Sequence, residues 1–315
     1  MSNVLAIDIG GTHFRVGVFD PEGCPLKVEE GDTDSAAGRD WMLTQLTTRC
    51  RTLIGASATP IQACGLSFGG PVDYRQQRVT SVHAAGWQGF ELGKWVEQNL
   101  GLRSHLDNDA NAGALGEHHS GAGRGAKSLV YLTISTGLGG GVIVDGKLLH
   151  GHDCLAGEIG HIPISDSGLL CSCGGRGCLE SFCSGRAIET RVREWAARRP
   201  ERVERMIQLS GGPEITAKAV FAAAAEGDAA ATHMVRETTR WLARGLLIIV
   251  RLLNPEVLVL GGGVAQSGKI LLDNLRYFLE ELASPTIVSS TRIVTAALGN
   301  LSPLYGAAQL GLHLA

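Results

Sequence analysis

The 315-residue chain lacks any apolar run long enough to span a bilayer: Gly245 to Val250, for one, is ended by Arg251. It also lacks a run of lysine and arginine, and a formal charge of −3 leaves no electrostatic footprint for nucleic acid. Neither a membrane nor a nucleic acid is therefore an expected partner. Cysteine is sparse. Eight in 315 residues, with no secretory leader legible at Met1-Ser-Asn-Val, argue against a disulfide framework and for a cytoplasmic protein. Charged residues make up 19% of the chain and hydrophobic ones 44%, so a large core can be buried, and the length suggests two domains or lobes.

Glycine is abundant instead. Its 43 residues gather at Gly10-Gly11, Gly69-Gly70, Gly137 to Gly141, Gly174-Gly175 and Gly261 to Gly263, a pattern that reads as tight loops rather than a linker. Between these clusters strands and helices alternate. Val4 to Asp8 and Phe14 to Phe19 read as a hairpin, and Ile61 to Ser67, Arg103 to Leu106 and Val257 to Leu260 as single strands. Ser128 to Ser135 and Gly141 to Val144 make a second hairpin. Helices are expected over Ser35 to Ile54, Leu92 to Leu100, Ala110 to His119, Arg186 to Arg198, Ala217 to Glu226, Ala229 to Leu253, Lys269 to Leu282 and Leu304 to Leu314. Interleaved strands and helices imply α/β lobes.

The two hairpins form a weak internal repeat. Ala6 to Thr12 leading into Val16-Gly17-Val18 parallels Thr133 to Gly137 leading into Gly140 to Ile143. Glycine at such a turn lets backbone N–H groups approach an anion closely, so a facing pair would clamp a polyphosphate. Either one alone also reads as a plain hairpin.

Three of the cysteines stand apart. Cys171, Cys173 and Cys178 form C-x-C-x4-C, with His161 ten positions before the first. Thiolate sulfur and imidazole nitrogen suit zinc, and four such ligands leave no open position, so a metal here is structural. Fortuitous clustering and redox-active thiols are the alternatives. Glu158 and Glu180 bracket the cluster, and Cys183 is close enough in sequence to be a spare ligand. The other cysteines, Cys24, Cys50, Cys64 and Cys154, lie mostly in apolar surroundings and read as core residues.

Taken in order, Asp8-Ile-Gly-Gly-Thr12, Leu106-Asp-Asn-Asp-Ala-Asn111, Ser135-Thr-Gly-Leu-Gly-Gly-Gly141, Gly157-Glu-Ile-Gly-His161, Cys171 to Glu180 and Leu260-Gly-Gly-Gly263 resemble the ROK family of bacterial sugar kinases and sugar-responsive repressors, from about Val4 to the C-terminus. The resemblance implies the actin-like ATPase fold of the hexokinase superfamily, with two ribonuclease-H-like α/β lobes and a cleft between them. The expected lobes are 1–109 plus 302–315, and 110–301 with the zinc loop. Repressors of the family carry a helix-turn-helix domain before the Asp-Ile-Gly-Gly-Thr segment. Only seven residues precede Asp8 here, so a kinase is the expectation and a non-catalytic sugar-binding regulator the alternative.

Phosphoryl transfer to an alcohol needs a base at the hydroxyl and cations and N–H groups around the moving phosphoryl. Asp109 follows a strand at a helix start, where α/β sheets bind ligands, and the resemblance places the catalytic aspartate there. Asp107 or Asp109 could otherwise be a helix N-cap. The resemblance further implies that Asn108, Glu158, His161 and Glu180 contact the sugar, with one His161 ring nitrogen on zinc and the other on a hydroxyl. Gly10, Gly11 and Thr12 would face the β/γ phosphates of ATP, Thr136, Gly137 and Gly139 the opposite side, and Gly261, Gly262 and Gly263 the adenosine. Asp8 would position Mg2+, although an aspartate at a strand end also caps turns. Gly69 to Asp73 resembles the loop bordering the sugar, where Gly70 could admit a C2 substituent. The family's glucose kinases commonly show Asn in the segment before Gly-Trp, where this chain has His83-Ala-Ala-Gly-Trp87. Transfer from ATP to O6 of glucose is the leading expectation. N-acetylmannosamine, N-acetylglucosamine and fructose are alternative acceptors, polyphosphate an alternative donor, and a homodimer or homotetramer the expected assembly.

Overall fold

The run Val4 to Ile7 is apolar on both sides of the pleat, which demands cover on both faces. In the computed structural model, which describes every residue but Met1, His83, Ser167, Gly168 and Pro213, this run is the middle of a five-stranded sheet. The chain order is β1 (Asn3–Ile9), β2 (His13–Phe19), β3 (Pro25–Asp32), α1 (Gly38–Ala56), β4 (Ile61–Phe68), β5 (Val72–Asp73), β6 (Arg78–Val79), α2 (Leu92–Leu100), β7 (Arg103–Asn108), α3 (Asp109–Ser120), β8 (Leu129–Ile134), β9 (Leu138–Val144) and β10 (Lys147–Leu148). There follow α4 (Glu180–Cys183), α5 (Gly185–Arg198), α6 (Glu204–Ser210), α7 (Ala217–Ala225), α8 (Ala229–Leu253), β11 (Val257–Gly261), α9 (Gly262–Ala265), α10 (Lys269–Leu282), α11 (Pro285–Ser289), β12 (Arg292–Thr295) and α12 (Ser302–Leu312). None of the described helices is long and apolar enough to cross a membrane.

The first sheet runs β3-β2-β1-β4-β7, with β1 antiparallel to β2 and parallel to β4, and β4 parallel to β7. Alternation along β1 divides its cover: Leu5, Ile7 and Ile9 join Met42, Leu46 and Leu53 of α1 and Val96 of α2, whereas Val4 and Ala6 pack with Leu304, Ala307 and Ala308 of α12. The second sheet runs β10-β9-β8-β11-β12, with β8, β11 and β12 parallel. In each sheet the spatial order is third, second, first, fourth, fifth strand, so the weak repeat seen in two hairpins extends to two whole sheets.

Two compact units result. One gathers Met1–Gly125, Gly141–Ala156 and Leu301–Ala315, the other Ala126–Gly140 and Gly157–Asn300. The division expected after Asp109 falls at the start of α3, a helix that belongs to the first unit because it packs closely on α12. At Gly306 a Cβ would stand 1.6 Å from the Ala112 carbonyl oxygen, so only glycine permits the approach. Gly139 and Gly140, expected in the glycine turn, are in strand β9 together with Gly141, the expected start of that strand. At Gly141 a Cβ would meet the Ala110 carbonyl oxygen at 2.4 Å, so the missing side chain lets the strand lie against the start of α3. Likewise Gly261 ends β11 and Gly262–Gly263 open the short helix α9 rather than forming a free loop.

Candidate functional site

Strand register places one polar row across the first sheet: Glu30, Arg15, Asp8, Ser67 and Asp107 are successive partners on β3, β2, β1, β4 and β7. Its first four members are bonded in sequence. Arg15 donates through Nε and Nη2 to Glu30, at 3.2 Å each, and through Nη1 to Asp8 Oδ2 at 3.3 Å; Ser67 Oγ donates to Asp8 Oδ1 at 2.8 Å. Burial raises the Asp8 pKa above the ordinary carboxylate value, opposed by the Ser67 hydrogen bond and the Arg15 charge. A carboxylate has roughly four lone-pair sites. Two are taken here, leaving capacity for a water of a partly hydrated Mg2+.

The row lies at the carboxyl ends of the parallel strands β1, β4 and β7, where α/β sheets bind ligands. Just beyond it come the Gly10–Thr12 turn, Gly69-Gly70 and the Asn108-Asp109 junction. In the first turn the Gly10 N–H is spent on the His13 carbonyl at 3.0 Å, while Gly11 and Thr12 are exposed. At Gly70 a Cβ would meet Ser81 Oγ at 3.2 Å, and φ is +145°; the absent side chain therefore makes room for buried Ser81, not for open space. His83 lies outside the described residues, whereas Trp87 is buried against Phe68 and Phe90.

At the third strand end neither aspartate is the cap. Asn108 Oδ1 accepts the Asn111 N–H at 2.7 Å and starts α3, with Asp109 in the first turn and half-buried. Asp107, 1% exposed, accepts from the Asn108 N–H and Asn111 Nδ2 at Oδ1, both at 2.8 Å, and pairs with His150 Nε2 at 2.6 Å through Oδ2. Asn108 thus commits its amide oxygen to the helix. No short-range signal marks Tyr74 and His150, which stack at 3.8 Å and 43 residues separate His150 from Asp107.

The second unit holds the remaining candidates. His161, Cys171, Cys173 and Cys178 bring four ligand atoms within 4.8 Å of one another. Tetrahedral zinc with Zn–S bonds of about 2.3 Å sets sulfur–sulfur edges of about 3.8 Å. The Cys173–Cys178 sulfurs are 3.8 Å apart, and His161 Nδ1 is 3.5 Å from the Cys171 sulfur, so the donor set fits that ion. His161 directs Nδ1 to the cluster and Nε2 towards Glu158 Oε2, 3.7 Å away. Cys183 is not part of the group: it is buried, its Sγ lies 3.5 Å from the Thr238 carbonyl oxygen, and burial holds its thiol well above the ordinary pKa. Glu180 joins the cluster to the glycine turn, accepting from Ser172 Oγ at 2.7 Å on Oε1 and from the Leu138 N–H at 2.9 Å on Oε2. Thr136 and Gly137 follow β8, Gly139 lies in β9, and Gly261 ends the neighbouring parallel strand β11, with Gly262 and Gly263 just after it. These candidates accordingly fall at the carboxyl edge of the second sheet.

Comparison with known proteins matches this architecture. The family model described as ROK family fits residues 4–313. A glucokinase of Streptomyces coelicolor is 33% identical over 98% of either chain. A xylose repressor of Caldicellulosiruptor bescii is 33% identical over 89% of this chain and 71% of the repressor. The crystal structure of a ROK family glucokinase from Streptomyces griseus in complex with glucose and AMPPNP superposes with a TM-score of 0.87 at 33% identity, covering 99% of this chain and all of that one.

Proposed function

The chain belongs to the ROK family and has its actin-like ATPase fold, and from that premise we propose that it is an ATP-dependent sugar kinase acting on a hexose, with O6 of glucose as the first acceptor. The observation that carries the reading is the β7–α3 junction. It sets Asp109 in the first turn of a helix, at the carboxyl end of a parallel strand, beside a cap that fixes its backbone. The Streptomyces relatives, a glucokinase and a glucokinase complexed with glucose and an ATP analogue, support both substrates.

Asp109 takes the proton of the attacking hydroxyl as the oxygen bonds to the γ-phosphorus of ATP and ADP leaves. Asn108, with its Oδ1 occupied, offers its amide N–H groups to the sugar. Glu158, His161 and Glu180 complete sugar recognition, and Gly70 shapes the bordering loop through Ser81. Gly11 and Thr12, with Gly10 closing their turn, and Thr136, Gly137 and Gly139 receive the phosphates; Gly261, Gly262 and Gly263 border the adenosine. Asp8 holds Mg2+ through water, and when bound that ion neutralises phosphate charge. His161, Cys171, Cys173 and Cys178 hold a structural zinc that orients Glu180 and His161.

The identity to a xylose repressor favours, as a second reading, a sugar-binding regulator without catalysis. A coupled ADP-release assay over hexoses and N-acetylhexosamines separates the two. Turnover with glucose supports the kinase, and silence on every sugar removes it.

A further inference from the structure

The polar row of the first sheet ends at Asp107, whose partner His150 lies outside every motif of the chain. Asp107 is 1% exposed, and two of its three hydrogen bonds hold the backbone and side chain that begin α3. The third partner, His150 Nε2 at 2.6 Å, takes the oxygen that would otherwise be buried without a donor. Because the acceptor is a carboxylate, Nε2 carries the proton.

The imidazole is itself held. Tyr74 stacks on it with ring centroids 3.8 Å apart and planes at 19°, and the neighbouring Arg75 donates to the His152 carbonyl at 3.0 Å. From the same short β5–β6 hairpin Gln77 Oε1 accepts the Leu106 N–H at 2.7 Å, on the strand that carries Asp107. One hairpin thus fixes both the strand and the histidine that bonds its carboxylate.

We propose that His150 is a positioning residue for sugar phosphorylation, acting through Asp107 to hold the β7–α3 junction on which Asn108 and Asp109 stand. The proposal rests on the assignment of Asp109 as the base. Loss of the donor leaves Asp107 Oδ2 buried and unpaired; the carboxylate then turns towards another donor and releases the Asn108 N–H and Asn111. Asp109 follows, and a misplacement of about 1 Å at a reacting group costs up to about a hundredfold in rate.

Three variants separate donor from stack. His150→Phe keeps an aromatic ring for Tyr74 without a donor, His150→Gln keeps a donor without the ring, and His150→Ala removes both. Steady-state kcat, with thermal midpoints alongside, should fall at least about tenfold in the Phe and Ala variants and stay within about threefold of wild type in the Gln variant. Wild-type kcat in His150→Phe, or a tenfold loss in His150→Gln, overturns the proposal. Should Phe and Ala fail to fold, the Gln variant alone decides by the same limits. If the wild-type chain releases no ADP with any sugar, the kinase reading fails first and the proposal with it. An active wild type with an indifferent His150→Phe fails the proposal only.

Discussion

Glu180 and Leu138 are joined by a hydrogen bond of 2.9 Å in which the carboxylate accepts the amide at the start of β9, 42 residues earlier in the chain. The other oxygen of the same carboxylate accepts the Ser172 hydroxyl inside the cysteine loop. A residue that merely touched the sugar would, when removed, raise the sugar KM alone. Hydrogen bonds to a charged group contribute about 1.5–3 kcal/mol each. Glu180→Ala should therefore raise KM about tenfold or more for sugar and for ATP together, as initial-rate kinetics with each substrate varied would show.

Asp109→Asn removes the proton acceptor at nearly constant volume. General-base catalysis contributes roughly 10²–10⁴-fold, so kcat should fall by about 10³-fold while calorimetric sugar binding stays measurable. Retained turnover would displace Asp109 from that role.

Purified protein should contain about one zinc per chain by elemental analysis, as a closed His/Cys3 site requires. Cys173 is exposed, so replacing its sulfur costs little in packing and any loss reports the metal. Cys173→Ser and chelator treatment should each lower the melting temperature by several degrees and depress activity.

On β7, His105 has its pKa held below the ordinary 6.5, chiefly by burial, with repulsion from His150 and His313 and an opposing attraction to Asp107. His119, whose pKa is likewise lowered by burial and by its histidine neighbours, acts in the same direction. A lowered folded-state pKa means that the unfolded chain binds the proton more readily. The contribution of neutral His105 is thus present above pH 6.5 and lost as pH falls through the folded-state value. Urea midpoints should be level above 6.5 and decline below it, and His105→Gln should decline less steeply.

Gly306→Ala drives a methyl group into the Ala112 carbonyl, where the Cβ would lie at 1.6 Å. Overpacking typically costs 1–3 kcal/mol and more against backbone, so a loss of about 3 kcal/mol or greater is expected from urea unfolding.

Much of the fold was legible because its strands advertise themselves. Val4 to Ile7 and Val257 to Leu260 are continuous apolar runs, and the helices α2, α8 and α10 have the bounds that period and caps predict. The edges were not. β3 is largely exposed and reads Pro-Leu-Lys-Val-Glu-Glu-Gly-Asp, and β12 is one exposed and three half-buried residues, so neither carries the apolar signal of a central strand. Glycine misled at 139 and 140 because an absent side chain serves close packing as well as turning. In the candidate site, local spacing singled out the motif residues, whereas Arg15, Ser67, Tyr74 and His150 enter through strand register and long-range contacts that no window of sequence contains.

The return of α12 to the first sheet has a consequence for biosynthesis. Val4, Ala6 and Ala63 emerge early from the ribosome, but their cover, Leu304, Ala307 and Ala308, is made much later. At about 5–20 residues per second, the stretch from Gly125 to Leu301 takes on the order of ten to tens of seconds to translate. During that interval one apolar face of the nascent sheet stays bare, while the second unit, continuous but for the excursion at 141–156, can close before the first. Synthesis of α12, rather than sheet formation, is then the event that completes the half of the protein bearing Asp109.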